Sequence, residues 1–194
     1  MRIISFTISM TFSKDQQEKL LTLARESIES IFSNQNFDSE DYKAEFSQEL
    51  GVFVTLNIGG KLRGCIGYDE GYYPLYEGIF KAATSAAFHD SRFNPLTKEE
   101  FSKISIEISI LGELEEIQVS NYTEYLDQIE LGIDGISIEA GPSTAIFLPM
   151  VPRNQGWTVE EFLENLCLKA SLSKDEWKEP ATKLFKFQTQ TFEE

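Results

Sequence analysis

The feature that most constrains the fold is an alternation of side chains on both sides of Gly59–Gly60. Before the glycine pair, Val52, Val54 and Leu56 alternate with Phe53, Thr55 and Asn57, and the alternation resumes over Leu62–Gly67. Successive side chains of a strand point to opposite faces of a sheet, and a glycine pair between two such runs is typical of a tight turn. The sequence therefore predicts a β-hairpin here.

The same order of elements is predicted twice along the chain. The first hairpin is followed by an alanine-rich helix after Pro74, by a capping-box pattern at Thr97 and Glu100, and by an alternating strand, Ile104–Leu111. A second hairpin around residues 141 and 142, a helix that begins near residue 158 and a strand around residue 184 repeat this order. The halves share no residue-level identity, so the repeat is a hypothesis about structure only.

Length and pattern together predict the fold class. The 194 residues suit one domain, 1–194, with halves at 11–115 and 120–194. We expect an α+β fold in which helices pack on a mainly antiparallel sheet, with the hairpin, helix and strand as the repeated unit.

Composition argues against several classes of function. Lys and Arg number 17 against 32 Asp and Glu, a net charge of −15 that would repel a nucleic-acid backbone. No apolar run is long enough to span a bilayer, so no membrane partner is expected. The two cysteines, Cys65 and Cys167, form no CxxC pair, which favours free thiols in a reducing compartment and predicts a cytoplasmic protein. With one histidine and no nucleotide-binding motif, we expect neither a metal site nor a cofactor.

The register of the first hairpin decides where Cys65 points. A two-residue loop would place Arg63 and Cys65 on the face of Val52, Val54 and Leu56, which mixes charge with apolar side chains. A loop with an odd number of residues, 58–60, aligns those apolar residues with Leu62, Gly64 and Ile66 instead. We therefore expect the odd loop, with Arg63 and Cys65 together on the other face, about 7 Å apart along the strand.

Residues 63–67 combine groups that suit binding or catalysis. Arg63 presents a planar donor fork that fits a carboxylate or phosphate. Gly64 and Gly67 lie inside a strand, where glycine marks a bulge or the close approach of a backbone or ligand. Because a neighbouring arginine lowers the pKa of a thiol, Cys65 is a candidate nucleophile.

Each candidate also has a structural alternative. A nucleophilic Cys65 needs a base, and His89, Asp90 and Glu107 are the candidates, whereas a packed thiol is the more frequent role for cysteine. His89 equally suits the end of a helix. Glu107 is predicted either as an ion-pair partner of Arg63 or Arg92 or as a solvated strand residue.

The hexapeptide Leu62–Gly67 resembles the signature sequence of the AMMECR domain family. Ser171 stands where that family usually has glycine, and His89 lies outside its pattern. The match covers nearly the whole chain from about residue 11, and its further members are Pro74, Leu75, Ala86–Phe88, Asp90, Arg92, Phe93, Pro95, Leu96, Ile106–Ser109, Leu111, Gly132–Gly135, Phe147–Pro149, Val151, Pro152, Gln155–Trp157, Phe162, Leu163, Lys169, Ala170, Leu172 and Trp177.

The resemblance implies an α+β fold and a functional site at the hexapeptide, without a settled activity. It adds Arg92 to the site, and it implies a Memo-type or radical-SAM protein as a partner, because relatives are fused to such proteins or encoded beside them. Our leading hypothesis is a cleft that binds a small anionic or peptide-like ligand through Arg63, Gly64, Gly67 and Arg92. Cys65 and Glu107 are the candidates for catalysis there.

A non-catalytic module that docks onto a partner enzyme is the alternative hypothesis. In that case the hexapeptide would be an architectural hairpin. The sequence leaves the oligomeric state open.

Overall fold

A computed structural model describes residues 11–35 and 37–194. The chain forms two compact units, the first comprising residues up to Gly112 together with Gln190–Glu194 and the second comprising Glu113–Thr189. In the described part of the chain, no helix combines the length and the apolar character needed to cross a membrane.

Seven α-helices and eight strands are found in the described residues, besides two short 3-10 turns. In chain order they are α1 (Lys14–Ser33), α2 (Glu40–Lys43), β1 (Val52–Ile58), β2 (Lys61–Tyr68), α3 (Leu75–Phe88), α4 (Lys98–Phe101), β3 (Ile104–Leu111), β4 (Glu115–Glu116), α5 (Tyr125–Gln128), β5 (Gly135–Ala140), β6 (Ser143–Phe147), α6 (Met150–Gln155), α7 (Val159–Lys169), β7 (Lys183–Phe187) and β8 (Thr189–Glu193).

The first unit is a four-stranded sheet in the order β2-β1-β3-β8, with β1 antiparallel to both neighbours. Val52, Val54 and Leu56 of β1 and the isoleucines of β3 are buried and form one core with the apolar faces of α1 and α3. The other face of this sheet carries the polar half of the alternation, which includes Thr55, Ser105 and Glu107. We refer to it as the polar face.

The second unit repeats this arrangement with its own core. Its sheet has the order β4-β7-β5-β6, and β5 is antiparallel to β6 and β7. The buried face of α7 packs with strand residues and with Trp177. Helices α6 and α7 lie between β6 and β7 in the chain, as α3 and α4 lie between β2 and β3.

The predicted order of hairpin, helix and strand is therefore confirmed in both units, as are the α+β class and the antiparallel pairing. The outer strands correct the boundaries predicted for the halves. The strand β8 lies beside β3 in the first sheet, so residues 190–194 do not belong to the second half. Conversely, Glu115 begins β4, which pairs with β7 in the second sheet.

The strands of the first hairpin pair largely as predicted, but the turn between them is not the predicted one. The turn is formed by two residues, Gly59 and Gly60, with φ of 59° and 74°, and Ile58 pairs with Lys61 across it. Both values lie in the left-handed region that glycine adopts at little cost, as a type I′ turn requires. The odd loop that the sequence predicts is therefore wrong.

A β-bulge restores the predicted alignment beyond the turn. Asn57 pairs with Leu62 and Leu56 with Gly64, so Arg63 is the extra, unpaired residue. From there Thr55 faces Cys65, as predicted. Between the turn and the bulge, the pairing is shifted by one residue from the predicted register. Leu62 therefore lies opposite Asn57 and is 44% exposed instead of joining the apolar face.

Candidate functional site

Gly64 allows the close approach of α3 to the hairpin. A Cβ atom at this position would lie 2.1 Å from the carbonyl oxygen of Ala86, far inside van der Waals contact. The buried alanines of α3 bring the helix backbone onto β2 at this point. Gly64 is therefore required by the packing of one backbone on another, one of the two roles that glycine inside a strand predicts.

An ion pair after α3 holds the backbone of Cys65. The Asp90 carboxylate accepts from the Cys65 amide at 2.9 Å, and the Arg92 guanidinium donates to the Cys65 carbonyl oxygen at 3.1 Å. The same two side chains are joined by hydrogen bonds of 2.9 and 2.7 Å. Since β2 is the outer strand of its sheet, the pair satisfies backbone groups that would otherwise lack a neighbouring strand.

The hydrogen bonds from Arg92 hold the pKa of the buried Asp90 carboxyl well below its usual range. Asp90 is thus a fixed anion, and its oxygens are committed to Arg92 and to the Cys65 amide. We therefore exclude Asp90 as the base for the Cys65 thiol.

Arg63, the bulged residue, forms a second ion pair. Its Nε and Nη2 atoms donate to the two carboxylate oxygens of Glu100, each at 3.0 Å, and Nη2 also donates to the carbonyl oxygen of Asn94 at 2.9 Å. The hydrogen bonds from Arg63 lower the pKa of Glu100 to about 2. The third nitrogen, Nη1, is buried and has no hydrogen-bond partner in the described part of the chain.

The two arginines share one aromatic neighbour. The guanidinium carbons of Arg63 and Arg92 lie 5.7 and 5.5 Å from the centre of the Phe93 ring. Both distances are within the range of cation–π attraction. The cluster of Arg63, Phe93 and Arg92, with the carboxylates of Asp90 and Glu100, is called the arginine cluster below.

The polar face continues from Cys65 along a row of three strands. Thr55 lies opposite both Cys65 and Glu107, and its Oγ1 atom is 3.2 Å from the Cys65 Sγ atom. Burial raises the pKa of the Cys65 thiol, and this effect exceeds the lowering by Thr55 and Arg92. Burial, followed by repulsion from Glu193, also raises the pKa of Glu107.

Glu107 pairs with neither arginine, although the sequence leaves that role open. The partners are Glu100 for Arg63 and Asp90 for Arg92. The half-buried carboxyl of Glu107 faces Thr55 on the neighbouring strand instead.

Gly67 lies two residues beyond Cys65 on the same strand. A Cβ atom there would be 2.4 Å from the ring of Phe53, which faces it across the pair of strands. The aromatic ring thus covers the space that a side chain would fill. The backbone of Gly67 remains at the outer edge of the sheet.

The two hairpins differ in the bulge at Arg63. In the second unit Glu139 pairs with Thr144 and Ile138 with Ala145, without an extra residue. Counting paired residues from the turns, and so omitting the bulged Arg63, Ile146 corresponds to Cys65. Lys169 donates to the carbonyl oxygen of Ile146 at 2.6 Å, as Arg92 does to that of Cys65. The cationic contact to the edge strand is therefore common to both units, whereas the Arg63 bulge occurs only in the first hairpin.

Several site residues are not singled out by the sequence as functional. The Thr97 and Glu100 pattern correctly predicts the capping box of α4, but it does not show that the same carboxylate receives Arg63. Phe93 and Asn94 lie in a charged turn without a binding motif. Among residues 11–35 and 37–194, no group of three or more His, Cys, Asp or Glu side chains has an arrangement suited to a metal ion.

Several known proteins are similar to this chain over most of its length. A protein from Methanothermobacter thermautotrophicus is 40% identical over 184 residues, which are 94% of this chain and 96% of that protein. A protein from Methanocaldococcus jannaschii is 43% identical over 173 residues, 88% of this chain and 86% of that protein. The crystal structure of an uncharacterised protein from Pyrococcus horikoshii has 38% sequence identity and a TM-score of 0.84, and the match covers 91% of this chain and 90% of that one.

The family assignment rests on a family model that matches most of the chain. The family model described as AMMECR1 matches residues 21–192, which include the hexapeptide, the arginine cluster and all the strands except the last residue of β8. The resemblance inferred from the hexapeptide is thereby confirmed. The chain belongs to the AMMECR1 family.

Proposed function

We propose that the first unit binds a small ligand through an anionic group, and that the arginine cluster recognises this group. One observation carries the proposal: each guanidinium retains one nitrogen without a partner in the described part of the chain. Nη1 of Arg63 is buried and unpaired. Arg92 uses only Nε and Nη2, and 53% of its side-chain surface is exposed.

The cost of the buried, unpaired Nη1 donor of Arg63 supports the proposal. A buried donor without an acceptor costs about 1–3 kcal/mol, which an oxyanion or an ordered water would recover. Glu100 and Asp90 already hold the two side chains in place, so a ligand would immobilise little further side-chain freedom. Guanidinium groups fit carboxylates and phosphates, which are the ligand classes we infer.

The same geometry favours binding over covalent catalysis. The Cys65 thiol has a raised pKa and a hydroxyl as its hydrogen-bonding neighbour. The thiolate is the nucleophilic form, so its fraction at neutral pH is smaller than for a free cysteine. We assign Cys65 and Glu107 to the polar face beside the ligand, without a covalent role.

Docking onto a partner protein is the second candidate function. The observation in its favour is Leu62, an exposed apolar side chain on the outer strand of the first sheet. Loss of complex formation in Leu62→Asp, with anion binding unchanged, would support this function.

Thermal shift measurements test the anion site. Phosphate and acetate are compared with chloride at equal ionic strength, using wild type, Arg92→Gln and the control Arg153→Gln, which removes an exposed arginine from the second unit. We expect phosphate or acetate to raise the melting temperature of wild type and of the control, but not of Arg92→Gln. Equal shifts in all three proteins, or no shift in any, would contradict the proposal.

A further inference from the structure

The edge of β2 indicates what kind of ligand carries the anionic group. We infer that it is the terminal carboxylate of an extended peptide whose last residue pairs with Gly67. This inference rests on the proposed function, since Arg92 is the residue that receives the carboxylate. It adds hydrogen bonds between backbones, which a small inorganic anion cannot make.

The contacts of the Cys65 backbone show which backbone groups of β2 face the outer edge of the sheet. Its amide and carbonyl groups both contact side chains that follow α3, so both point away from β1. In an antiparallel ladder the outward groups recur at every second residue. The amide and carbonyl of Gly67 therefore point outward as well, about 7 Å further along the strand.

The backbone of Gly67 is available at that edge. None of the described residues outside the sheet makes a hydrogen bond with it. Gly67 also has no side chain that could shield these groups, because the ring of Phe53 takes that space. At Cys65, by contrast, the carboxylate of Asp90 and the guanidinium of Arg92 already provide the acceptor and the donor of a neighbouring strand.

The Gly67 amide and the Arg92 guanidinium both provide donors near the stretch of edge between Cys65 and Gly67. The outward amide of Gly67 follows the carbonyl of Cys65 along the edge, and that carbonyl is bound by Arg92. A carboxylate placed there can accept from the Gly67 amide and from the free Nη1 atom of Arg92. The amide of the same ligand residue then donates to the Gly67 carbonyl, which is the pairing of two residues in an antiparallel ladder.

This pairing sets the direction of the peptide. Its carboxylate lies on the Cys65 side of Gly67, and the preceding residues run past Tyr68 towards Asp69 and Glu70. Because those two side chains are acidic, a basic residue before the C-terminal pair should bind better than an acidic one. The recognised chemistry is therefore a short peptide with a free carboxylate and a preceding basic residue.

Changes in the ligand test the inference without changing the fold. The probes are Lys-Ala-Ala with a free carboxylate, its C-terminal amide, the same acid with an N-methylated last residue, and Glu-Ala-Ala. Calorimetry measures their affinities, and two-dimensional NMR follows the Gly67 amide. We expect Lys-Ala-Ala to bind and to shift the Gly67 amide resonance downfield, and we expect amidation or N-methylation to weaken binding about tenfold or more.

The outcomes separate this inference from the proposed function. If phosphate or acetate binds through Arg92 but N-methylation has no effect, or no tripeptide binds, the anion site stands and the peptide inference is wrong. If the amidated peptide binds as well as the acid, the carboxylate assignment is wrong. A concentration-dependent dimer that protects the Gly67 amide from hydrogen exchange would assign the edge to a second copy of the chain and overturn the inference.

Discussion

Cys65 lies in a signature sequence, but its surroundings in the structure do not activate its thiol in the way that the sequence suggests. The sequence places it beside an arginine, and a guanidinium does lie close to it in the structure, but it is Arg92 that contacts its backbone. Burial affects the thiol more strongly than this charge does. The local environment therefore favours the neutral thiol.

Alkylation of the native protein tests this view of Cys65. Because its pKa is raised, we expect the rate with iodoacetamide at pH 8 to be well below that of glutathione and to be still rising at pH 9. Peptide mapping by mass spectrometry distinguishes Cys65 from the buried Cys167. Protein in urea is the control, where both thiols should react rapidly. A native Cys65 rate that levels off below pH 8 would show that the thiol is activated.

Gly64 gives a second prediction at this scale. Since an added methyl group would collide with the backbone of α3, we expect Gly64→Ala to lower the free energy of unfolding by about 1–3 kcal/mol or more. Gly78→Ala is the matched control, because its Cβ atom would meet only a side chain of Val52, at 3.2 Å. Urea unfolding followed by circular dichroism compares the two. Equal stability of both variants would contradict the packing role of Gly64.

The sequence indicates that another group approaches position 64 closely, but it does not show which group this is. A glycine within a strand predicts the approach of either a backbone or a ligand, and only the placement of α3 decides between them. Arg63 is the reverse case. Its donor fork is evident in the sequence, but its partner Glu100 lies 37 residues away in a capping box that has its own local explanation.

Among the elements, α4 combines two roles in one residue. Glu100 completes the capping box with Thr97 and also holds Arg63, which links the start of a short helix to the bulge in β2. The capping box needs only a side chain that accepts a hydrogen bond, whereas the ion pair needs the charge. The two roles can therefore be separated by one substitution.

Glu100→Gln should preserve the cap and remove the ion pair. We expect a loss of about 1 kcal/mol at pH 7, a modest value because a third of the carboxylate side chain is exposed to screening solvent. The folded pKa of about 2 lies below the unfolded value near 4.3, so the wild-type stability is present above the unfolded value and is lost as pH falls towards 2.

The matched control for this prediction is Glu161→Gln. Glu161 completes the same capping box with Thr158 in α7 but has no arginine partner among residues 11–35 and 37–194. Urea unfolding from pH 7 to pH 2 measures both variants against wild type. An equal effect of the two substitutions, or a Glu100→Gln effect that does not decline in acid, would refute the ion-pair account.

The hairpin shows the limit of prediction from sequence at the level of elements. Hydrophobic alternation correctly requires Val54 and Leu56 to share a face with Ile66 and Gly64. It cannot distinguish an extra residue in the loop from an extra residue in the strand, because both shift the register by one. The energy of the turn decides, since two glycines with positive φ form the tight turn and leave Arg63 to bulge.

For the molecule as a whole, topology joins distant parts of the sequence. The repeated order of hairpin, helices and strand follows from local pattern and is predictable. The fourth strand of the first sheet is not, because β8 is separated from β3 by the entire second unit. The strand β8 is mostly polar, so the alternation of side chains does not distinguish its sequence from that of a loop.

Phe192→Ala tests the contribution of β8. This ring is 8% exposed and belongs to the first core, so we expect the substitution to cost about 3–5 kcal/mol and to speed hydrogen exchange in β1 and β3. Glu193→Gln on the same strand is the control. It should be neutral or slightly stabilising, because Glu193 repels Glu107. Unchanged exchange in Phe192→Ala would show that β8 is dispensable for the first sheet.

The position of β8 also bears on biosynthesis. A ribosome releases the residues of the first hairpin early, but the strand that lies beside β3 emerges only after residues 113–189 have been made. The second unit can assemble its four strands from one continuous segment, whereas the first must wait with the edge of β3 uncovered. During that interval the nascent chain has an unpaired strand edge, and this exposure ends only when residues 189–193 have emerged and pair beside β3.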